Sequence, residues 1–183
     1  SEERINAARA HIQSLGRYGP ISVDTFDGEH LPYADNLVNV IMASVEGQVR
    51  SEEIARVLAP GGVALFLNRK SQIANRKFVK LVPADIDEWT HYLHGADNNP
   101  VSKDKRVKPP LYHLKWVGSP RWARHHDVMS SFSACVSADN KVFYIFDEGL
   151  TFSPLLPTDW KLIARDAFNG TVLWKRDIDR WFP

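Results

Sequence analysis

The most informative segment of the chain for its fold is Ala164-Arg165-Asp166-Ala167-Phe168-Asn169-Gly170-Thr171-Val172-Leu173-Trp174. The β-branched and aromatic residues after Gly170 favour a pleated, half-buried strand, and Asn169-Gly170 supplies the left-handed backbone that a tight turn requires. With the apolar runs upstream, this segment predicts four short strands in succession, at residues 133–137, 141–146, 160–165 and 171–176. Such a series makes one antiparallel sheet, of the size of a single propeller blade.

The same segment resembles the repeat of quinoprotein-type (pyrroloquinoline-quinone-like) β-propellers. That repeat is Ala-x-Asp-x-x-x-Gly-x-x-x-Trp, and its fixed positions are all present as Ala164, Asp166, Gly170 and Trp174. The resemblance extends over residues 85–183 and implies that Trp174 docks one blade against the next. It implies little about chemistry, because many such propellers bind no quinone and act as scaffolds. Pyrroloquinoline quinone (PQQ) is expected only in a full-length propeller, and one blade fits here.

The aromatic residues are distributed unevenly along the 183 residues. All six tryptophans lie after residue 82, although the charge is balanced throughout, with 23 Lys and Arg against 22 Asp and Glu. This step in composition predicts a partial α/β domain at residues 1–68, a basic linker at 69–84 and an all-β region at 85–183. The net charge of +1 excludes a global cationic field for nucleic acid or an anionic membrane. The longest apolar run, residues 63–67, is too short for a membrane span, so we expect a soluble protein without a nucleic-acid partner.

The first part of the chain alternates helix and strand patterns. Helices are predicted at residues 1–15 and 51–58, and strands at 21–23, 38–43 and 63–67. The strand candidates after residue 37 are apolar at both parities, which is typical of strands buried on both faces. The expected fold class is therefore α/β, a partial Rossmann-like sheet with parallel strands, followed by the all-β blade.

Two motifs in this part resemble class I S-adenosylmethionine-dependent methyltransferases, and more narrowly the type 11 methyltransferase domain. They are residues 27–36, Asp-Gly-Glu-His-Leu-Pro-Tyr-Ala-Asp-Asn, and residues 53–62, which end in Pro60-Gly61-Gly62. The resemblance implies that Asp27 and Gly28 lie beside the adenine of the cofactor, S-adenosylmethionine. It also implies methyl transfer by in-line displacement, chiefly through positioning. The methyl acceptor is not identified by any motif.

The chain also departs from that family. The family's Gly-rich loop and the acidic residue that holds the ribose would precede Ser1, and Asn39 stands where the family has an acid. No convincing strands follow residue 67 in the first part. We therefore expect weak S-adenosylmethionine binding or none, and a fragment truncated at both ends.

Four other groups of residues are candidate sites. His91, His94 and Asp97 have the spacing of metal ligands on a helix, but the glycine and proline around them favour a polar turn or cap. The His125-His126-Asp127 cluster is disfavoured as a metal site because adjacent strand residues point to opposite faces. Asp147-Glu148 is expected in an exposed loop, where it could also bind a cation or substrate, and Cys135 is expected to be a small buried residue. We predict no metal site and identify no catalytic residue.

Three functional hypotheses remain from the sequence. The first is a fragment of a methyl-transferring enzyme fused to a propeller. The second is a non-catalytic binding or scaffold protein with a degenerate methyltransferase region, which Asn39 supports. The third is a quinone-dependent dehydrogenase. The compartment is open, because S-adenosylmethionine suggests the cytoplasm and propellers of this repeat type are often periplasmic.

Overall fold

The computed structural model describes residues 2–44, 49–67, 74–120, 131–153 and 155–179. Within these ranges the chain forms two helices and seven strands: α1 Glu2–Ser14, β1 Val38–Ser44, α2 Ser51–Val57, β2 Leu58–Leu67, β3 Ala74–Val79, β4 Phe132–Ala138, β5 Lys141–Asp147, β6 Trp160–Asp166 and β7 Val172–Asp177. The strands form a three-stranded sheet of order β1-β2-β3 and a four-stranded sheet of order β4-β5-β6-β7.

The three-stranded sheet is built on a β1-α2-β2 unit. β1 and β2 are parallel, with Ile41 opposite Ala64, and α2 is the crossover between them. The apolar side of α2 packs on β2, so that Ile54, Leu58 and Ala64 form a core with at most 2% of each residue exposed. This burial is the main apolar support of the sheet.

β3 closes the other edge of this sheet and runs antiparallel to β2. Its basic residues lie on an edge strand, where Arg76 stands over the Phe66 ring at 5.8 Å from the centroid. Charged side chains on an edge strand discourage pairing with other chains. Directly after β3, the Lys80 ammonium donates to the carbonyls of Ala55 at 2.6 Å and Leu58 at 2.8 Å, at the end of α2.

The predicted α/β fold class, a Rossmann-like parallel sheet, is wrong. The regular structure of the described residues is mostly β, and the first sheet has three strands of which β3 is antiparallel. The expected strand at residues 21–23 is absent from the described structure: Ile21 is 51% exposed, and the Val23 carbonyl accepts the Arg9 side chain at 3.0 Å instead of a strand partner. The thirteen described residues of α1 include none that is buried. A parallel sheet needs helices over both faces, and of the two helices in the described residues α2 alone is packed on the sheet.

The segment expected as a basic linker, residues 69–84, contributes β3. The basic residues of this segment indicated exposure to solvent. Residues from Arg76 to Val79 are exposed, but on an edge strand and not in a linker. The division of the chain into domains at residues 68 and 84 stays a prediction.

The four strands predicted in the second part are confirmed as β4 to β7, which pair antiparallel in sequence order. The β4–β5 hairpin turns at Asp139 and Asn140, whose φ angles are +49° and +59°. Two consecutive positive φ angles in a two-residue loop match the right-handed twist of the flanking strands. Whether this sheet belongs to a propeller stays a prediction.

Candidate binding site between the two sheets

Asp27 and Gly28, the predicted cofactor-binding residues, lie in a turn before β1. Asp27 Oδ1 accepts the backbone N–H of Glu29 at 2.7 Å and that of His30 at 2.8 Å. These two bonds, the His30 amide above all, lower the pKa of Asp27. Gly28 has a φ of +93°, which suits a residue without Cβ. Oδ1 of the exposed Asp27 carboxylate is thus bound within its own loop, and a role at adenine stays a prediction.

An ion pair on α2, between the buried Glu53 and the partly exposed Arg56, holds the rest of that loop. Glu53, only 7% exposed, accepts the Leu31 amide at 2.7 Å. Arg56 donates to Glu53 at 2.6 Å, to the Tyr33 carbonyl at 2.9 Å and to Asp35 at 2.7 Å. The Arg56 hydrogen bond holds the pKa of Glu53 at about 2, and Glu53 in turn raises the pKa of Arg56. The Leu31-Pro32 motif is therefore a docking segment for α2 in this fold.

Asn39 joins the two sheets. Its Nδ2 donates to Asp166 Oδ2 at 3.1 Å, while its Oδ1 accepts Asn169 Nδ2 at 2.6 Å. Asn169 Nδ2 also donates to the Leu37 carbonyl at 3.0 Å. An acid at position 39 would lack the donor and bring a second carboxylate to Asp166. An asparagine at position 39 thus has a structural reason at the junction.

The turn between β6 and β7 is the four-stranded sheet's part of this junction. Asp166 Oδ1 accepts the amides of Phe168 at 2.8 Å and Asn169 at 3.1 Å. Gly170 has a φ of +73°, and a Cβ there would lie 2.5 Å from the Trp116 ring. Trp116 Nε1 also donates to the Ala167 carbonyl at 3.1 Å. Asp166 and Gly170 therefore form the turn on which Trp116 packs.

The buried Arg165 stabilises the same turn through hydrogen bonds. It is 4% exposed and donates to three neutral oxygens, the Tyr144 hydroxyl, the Gly170 carbonyl and the Ser119 carbonyl, each at 2.7 Å. A buried guanidinium needs such bonds to offset its desolvation. Because Ser119 follows Trp116 closely, Arg165 and Trp116 hold the segment at residues 116–119 against the turn from two points.

A cavity of about 840 Å³ lies beside this junction, between the end of β3, the loop at residues 104–107 and the β6–β7 turn. Its lining is mainly apolar and includes Leu81, Val82, Pro83, Ile86, Val107 and Phe168. Three cations, Lys80, Arg106 and Lys115, line it together with one carboxylate, Asp104. The cavity thus combines an apolar wall with an excess of positive charge.

The residues that form the junction and the cavity were not predicted from the sequence. Trp116, Lys115 and Phe168 showed no motif of their own, and Lys80 was placed in a solvated basic run. The available indication was the turn at residues 166–170, which contains Phe168 and on which Trp116 packs.

The predicted histidine cluster forms a polar turn, as favoured from the sequence. His91 and His94 form an isolated antiparallel bridge, not a helix. His94, 7% exposed, binds Asp87 through Nε2 at 2.7 Å, and Asp97 accepts the Asn99 amide at 3.3 Å. Among the residues that the structure describes, no three His, Cys, Asp or Glu side chains are grouped as metal ligands. The His125-His126-Asp127 cluster lies outside the described residues.

Two other expectations are corrected. Asp147 is 4% exposed, not in an exposed loop, and accepts the amides of Asp159 at 2.7 Å and Gly149 at 2.9 Å. Glu148 pairs with Lys175 at 2.5 Å. Cys135, expected to be buried, is exposed on β4; partial desolvation nevertheless raises the pKa of its thiol. In the described ranges, neither helix has the length and apolar character needed to cross a bilayer.

Comparison with known proteins adds no relative: no family model, curated protein or solved structure matches the chain.

Proposed function

We propose that the chain is a non-catalytic binding and scaffold protein, whose four-stranded sheet is made to dock against neighbouring structure. The observation that carries the proposal is Trp116 on the β6–β7 turn. The ring lies against Gly170, where even a methyl group would not fit, and its N–H is bound to the Ala167 carbonyl. An aromatic ring with a satisfied N–H is a strong anchor for docking one element on another.

The second tryptophan of the sheet supports the same role. Trp174 lies opposite the fully buried Ala164 in the β6–β7 register, yet it is 37% exposed. It contacts Phe143 at 6.1 Å between ring centroids and lies under Arg176 at 5.2 Å. The sheet therefore receives one tryptophan at its turn and presents another on its last strand, which suits a module that docks at both sides.

The competing hypotheses are the methyltransferase and the quinone-dependent enzyme. Calorimetric titration of the whole chain with S-adenosylmethionine, and separately with pyrroloquinoline quinone, distinguishes them from the scaffold role. We expect no saturable heat with either compound up to millimolar concentration. Saturable S-adenosylmethionine binding that is lost in Asp27→Ala, with unchanged thermal unfolding, would overturn the scaffold proposal.

The docking role has its own test in Trp116→Phe. This change keeps an aromatic ring but removes the indole N–H and part of the contact with Gly170. We expect a loss of about 2 kcal/mol in the free energy of unfolding, measured with urea. The matched control is Trp174→Phe, for which about 0.5 kcal/mol is expected because the ring is partly exposed. Equal losses in the two variants would contradict a docking role for Trp116.

A further inference from the structure

We propose that the 840 Å³ cavity at the end of β3 binds a small molecule with an apolar body and a single carboxylate, and that the Lys115 ammonium is its counter-charge. This inference is separate from the scaffold role, because neither Trp116 nor Trp174 is among the described residues that line the cavity.

The size and lining of the cavity suit such a ligand. Pockets for small molecules usually measure about 300–1,000 Å³ and combine mostly apolar walls with a few polar groups. Here Leu81, Val82 and Val107 are 84%, 44% and 60% exposed, although they line one concave surface. A ligand that covered these side chains would remove apolar area from water, which is favourable in proportion to the area covered.

Two of the three cations in the lining are already used by the protein. Lys80 donates to Asn36 Oδ1 at 2.5 Å in addition to the two carbonyls at the end of α2. Arg106 pairs with Asp85 at 2.6 Å. Asp104, the single carboxylate of the lining, accepts the amides of Arg106 at 2.7 Å and Val107 at 2.9 Å. None of these groups needs a ligand to complete its bonding.

Lys115 is the exception. Among the described residues its ammonium makes no hydrogen bond or ion pair, and its nearest recorded partner is the Phe168 ring, 5.9 Å from Nζ. Phe168 also lines the cavity, so the ammonium is held beside the apolar wall. Partial burial lowers the pKa of Lys115, while Asp35 and Asp166 act against this from a distance and Lys80 adds to it. A carboxylate from a ligand would meet a cation that has three donors available.

The charges that line the cavity favour an anionic ligand over a neutral or a cationic one. A neutral apolar molecule would leave the Lys115 ammonium beside the covered surface without a partner, and a cationic molecule would be repelled by the three cations of the lining. A molecule with one carboxylate places its charge at Lys115 and its apolar body along the segment at residues 81–86. Charge complementarity of this kind discriminates among ligands more strongly than it adds affinity.

The test is a calorimetric titration of the whole chain with three probes of one chain length. Decanoate carries the carboxylate, 1-decanol has no charge, and decyltrimethylammonium has the opposite charge. We expect saturable decanoate binding about threefold tighter than that of 1-decanol, which is the size of effect expected for a partly exposed ion pair. Equal affinity for decanoate and 1-decanol, or no saturable decanoate binding, overturns the proposal.

The variant Lys115→Gln identifies the counter-charge. It should weaken decanoate binding about threefold or more and leave 1-decanol binding unchanged. Lys105→Gln is the matched control, because Lys105 is an exposed lysine two residues from Val107 that does not line the described cavity. Equal effects of the two substitutions on decanoate would show a nonspecific charge effect and overturn the assignment to Lys115.

A second copy of the chain is the alternative occupant of the cavity. Sedimentation of the unliganded protein over a hundredfold concentration range decides this point. A monomer throughout supports the small-molecule proposal. Dimerisation that is abolished by Val107→Glu, together with loss of decanoate binding in the dimer, would assign the surface to self-association instead.

Discussion

The three-stranded sheet has a helix over one face, whereas the four-stranded sheet exposes every residue of its last strand. In the first sheet, apolar burial of Ile54, Leu58 and Ala64 holds α2 on β2. In the second, the buried Arg165 and the β6–β7 turn provide a network of hydrogen bonds that reaches outside the sheet. The difference shows that the two sheets are joined to neighbouring structure in different ways: the first by side-chain burial under α2, the second by the hydrogen bonds of one turn.

Gly170→Ala is expected to have the largest effect on this comparison. The added methyl group meets a positive φ of +73° and would lie 2.5 Å from the Trp116 ring. Backbone strain and overpacking together should cost about 3 kcal/mol in the free energy of unfolding. Gly16→Ala is the matched control, because Gly16 has a φ of +63° but no atom within 4 Å of the added Cβ. It should cost only about 1 kcal/mol, measured in the same urea titrations.

Equal losses in the free energy of unfolding for the two glycine variants would mean that the Trp116 ring can move away from Gly170 without destabilising the fold. In that case the turn of the four-stranded sheet would not depend on its docked tryptophan, and the contrast between the two sheets would fail.

Asn39→Asp tests the connection between the sheets and is expected to have an intermediate effect. It removes the donor to Asp166 and places two carboxylates together, at a cost of about 1–2 kcal/mol at neutral pH and low salt. The double variant Asn39→Asp with Asp166→Asn exchanges donor and acceptor and should recover most of that loss. Urea unfolding of the two single variants and the double variant gives the coupling energy. A double variant whose loss equals the sum of the single losses would show that the bond in the junction contributes nothing.

The dependence of stability on pH is expected to show the smallest effect. It involves one carboxylate on α2 and one in the segment between the two sheets. The pKa of Glu53, beside α2, is lowered from 4.5 to about 2, mainly by its hydrogen bond with Arg56. The pKa of Asp87, bound to the Lys103 amide and His94, is lowered from 3.8 to about 2. A lowered carboxyl pKa stabilises the folded state above the ordinary value, and this stabilisation is lost as pH falls toward 2.

Glu53→Gln and Asp87→Asn should therefore each flatten the decline in stability below about pH 4.5, as followed by urea unfolding at pH 7, 4.5, 3.5 and 2.5. The two variants should differ from the parent chain most at neutral pH and least at pH 2.5. A difference that stays constant over this range would show that the carboxylates contribute packing and not charge.

The strands of the second sheet could be predicted because the residues that specify them are local. Asp139-Asn140 requires a turn by its own conformational preferences, and the repeat from Ala164 to Trp174 contains both a turn and the strand after it. These features depend on neighbours within a few residues. The resulting antiparallel pairing follows from short connections.

The fold of the first part was predicted wrongly because the sequence indicates the secondary structure of each element but not which elements pack on the sheet. The helix pattern of α1 is correct, yet none of its described residues is buried, so the chain does not become a layered α/β fold. β3 was missed because its basic residues indicated solvation, and an edge strand is solvated as well.

The junction and the cavity depend on contacts between distant residues. Trp116 and Ala167 are 51 positions apart, and Asn39 and Asp166 are 127 apart. The sequence identified Asn39 as a departure from a motif without giving the reason, which is a partner in the other sheet. Lys115 could not be identified, because its significance depends on which neighbouring cations already have partners.

The carboxylate of Asp166 has a consequence for the order of folding. One oxygen organises a turn only a few residues long, and the other closes a loop of more than a hundred residues. Short loops close at a lower entropic cost than long ones, and contacts of low sequence separation form faster. The turn is therefore expected to form first and to hold Oδ2 in place, so that the long-range contact with Asn39 forms on a site that is already built.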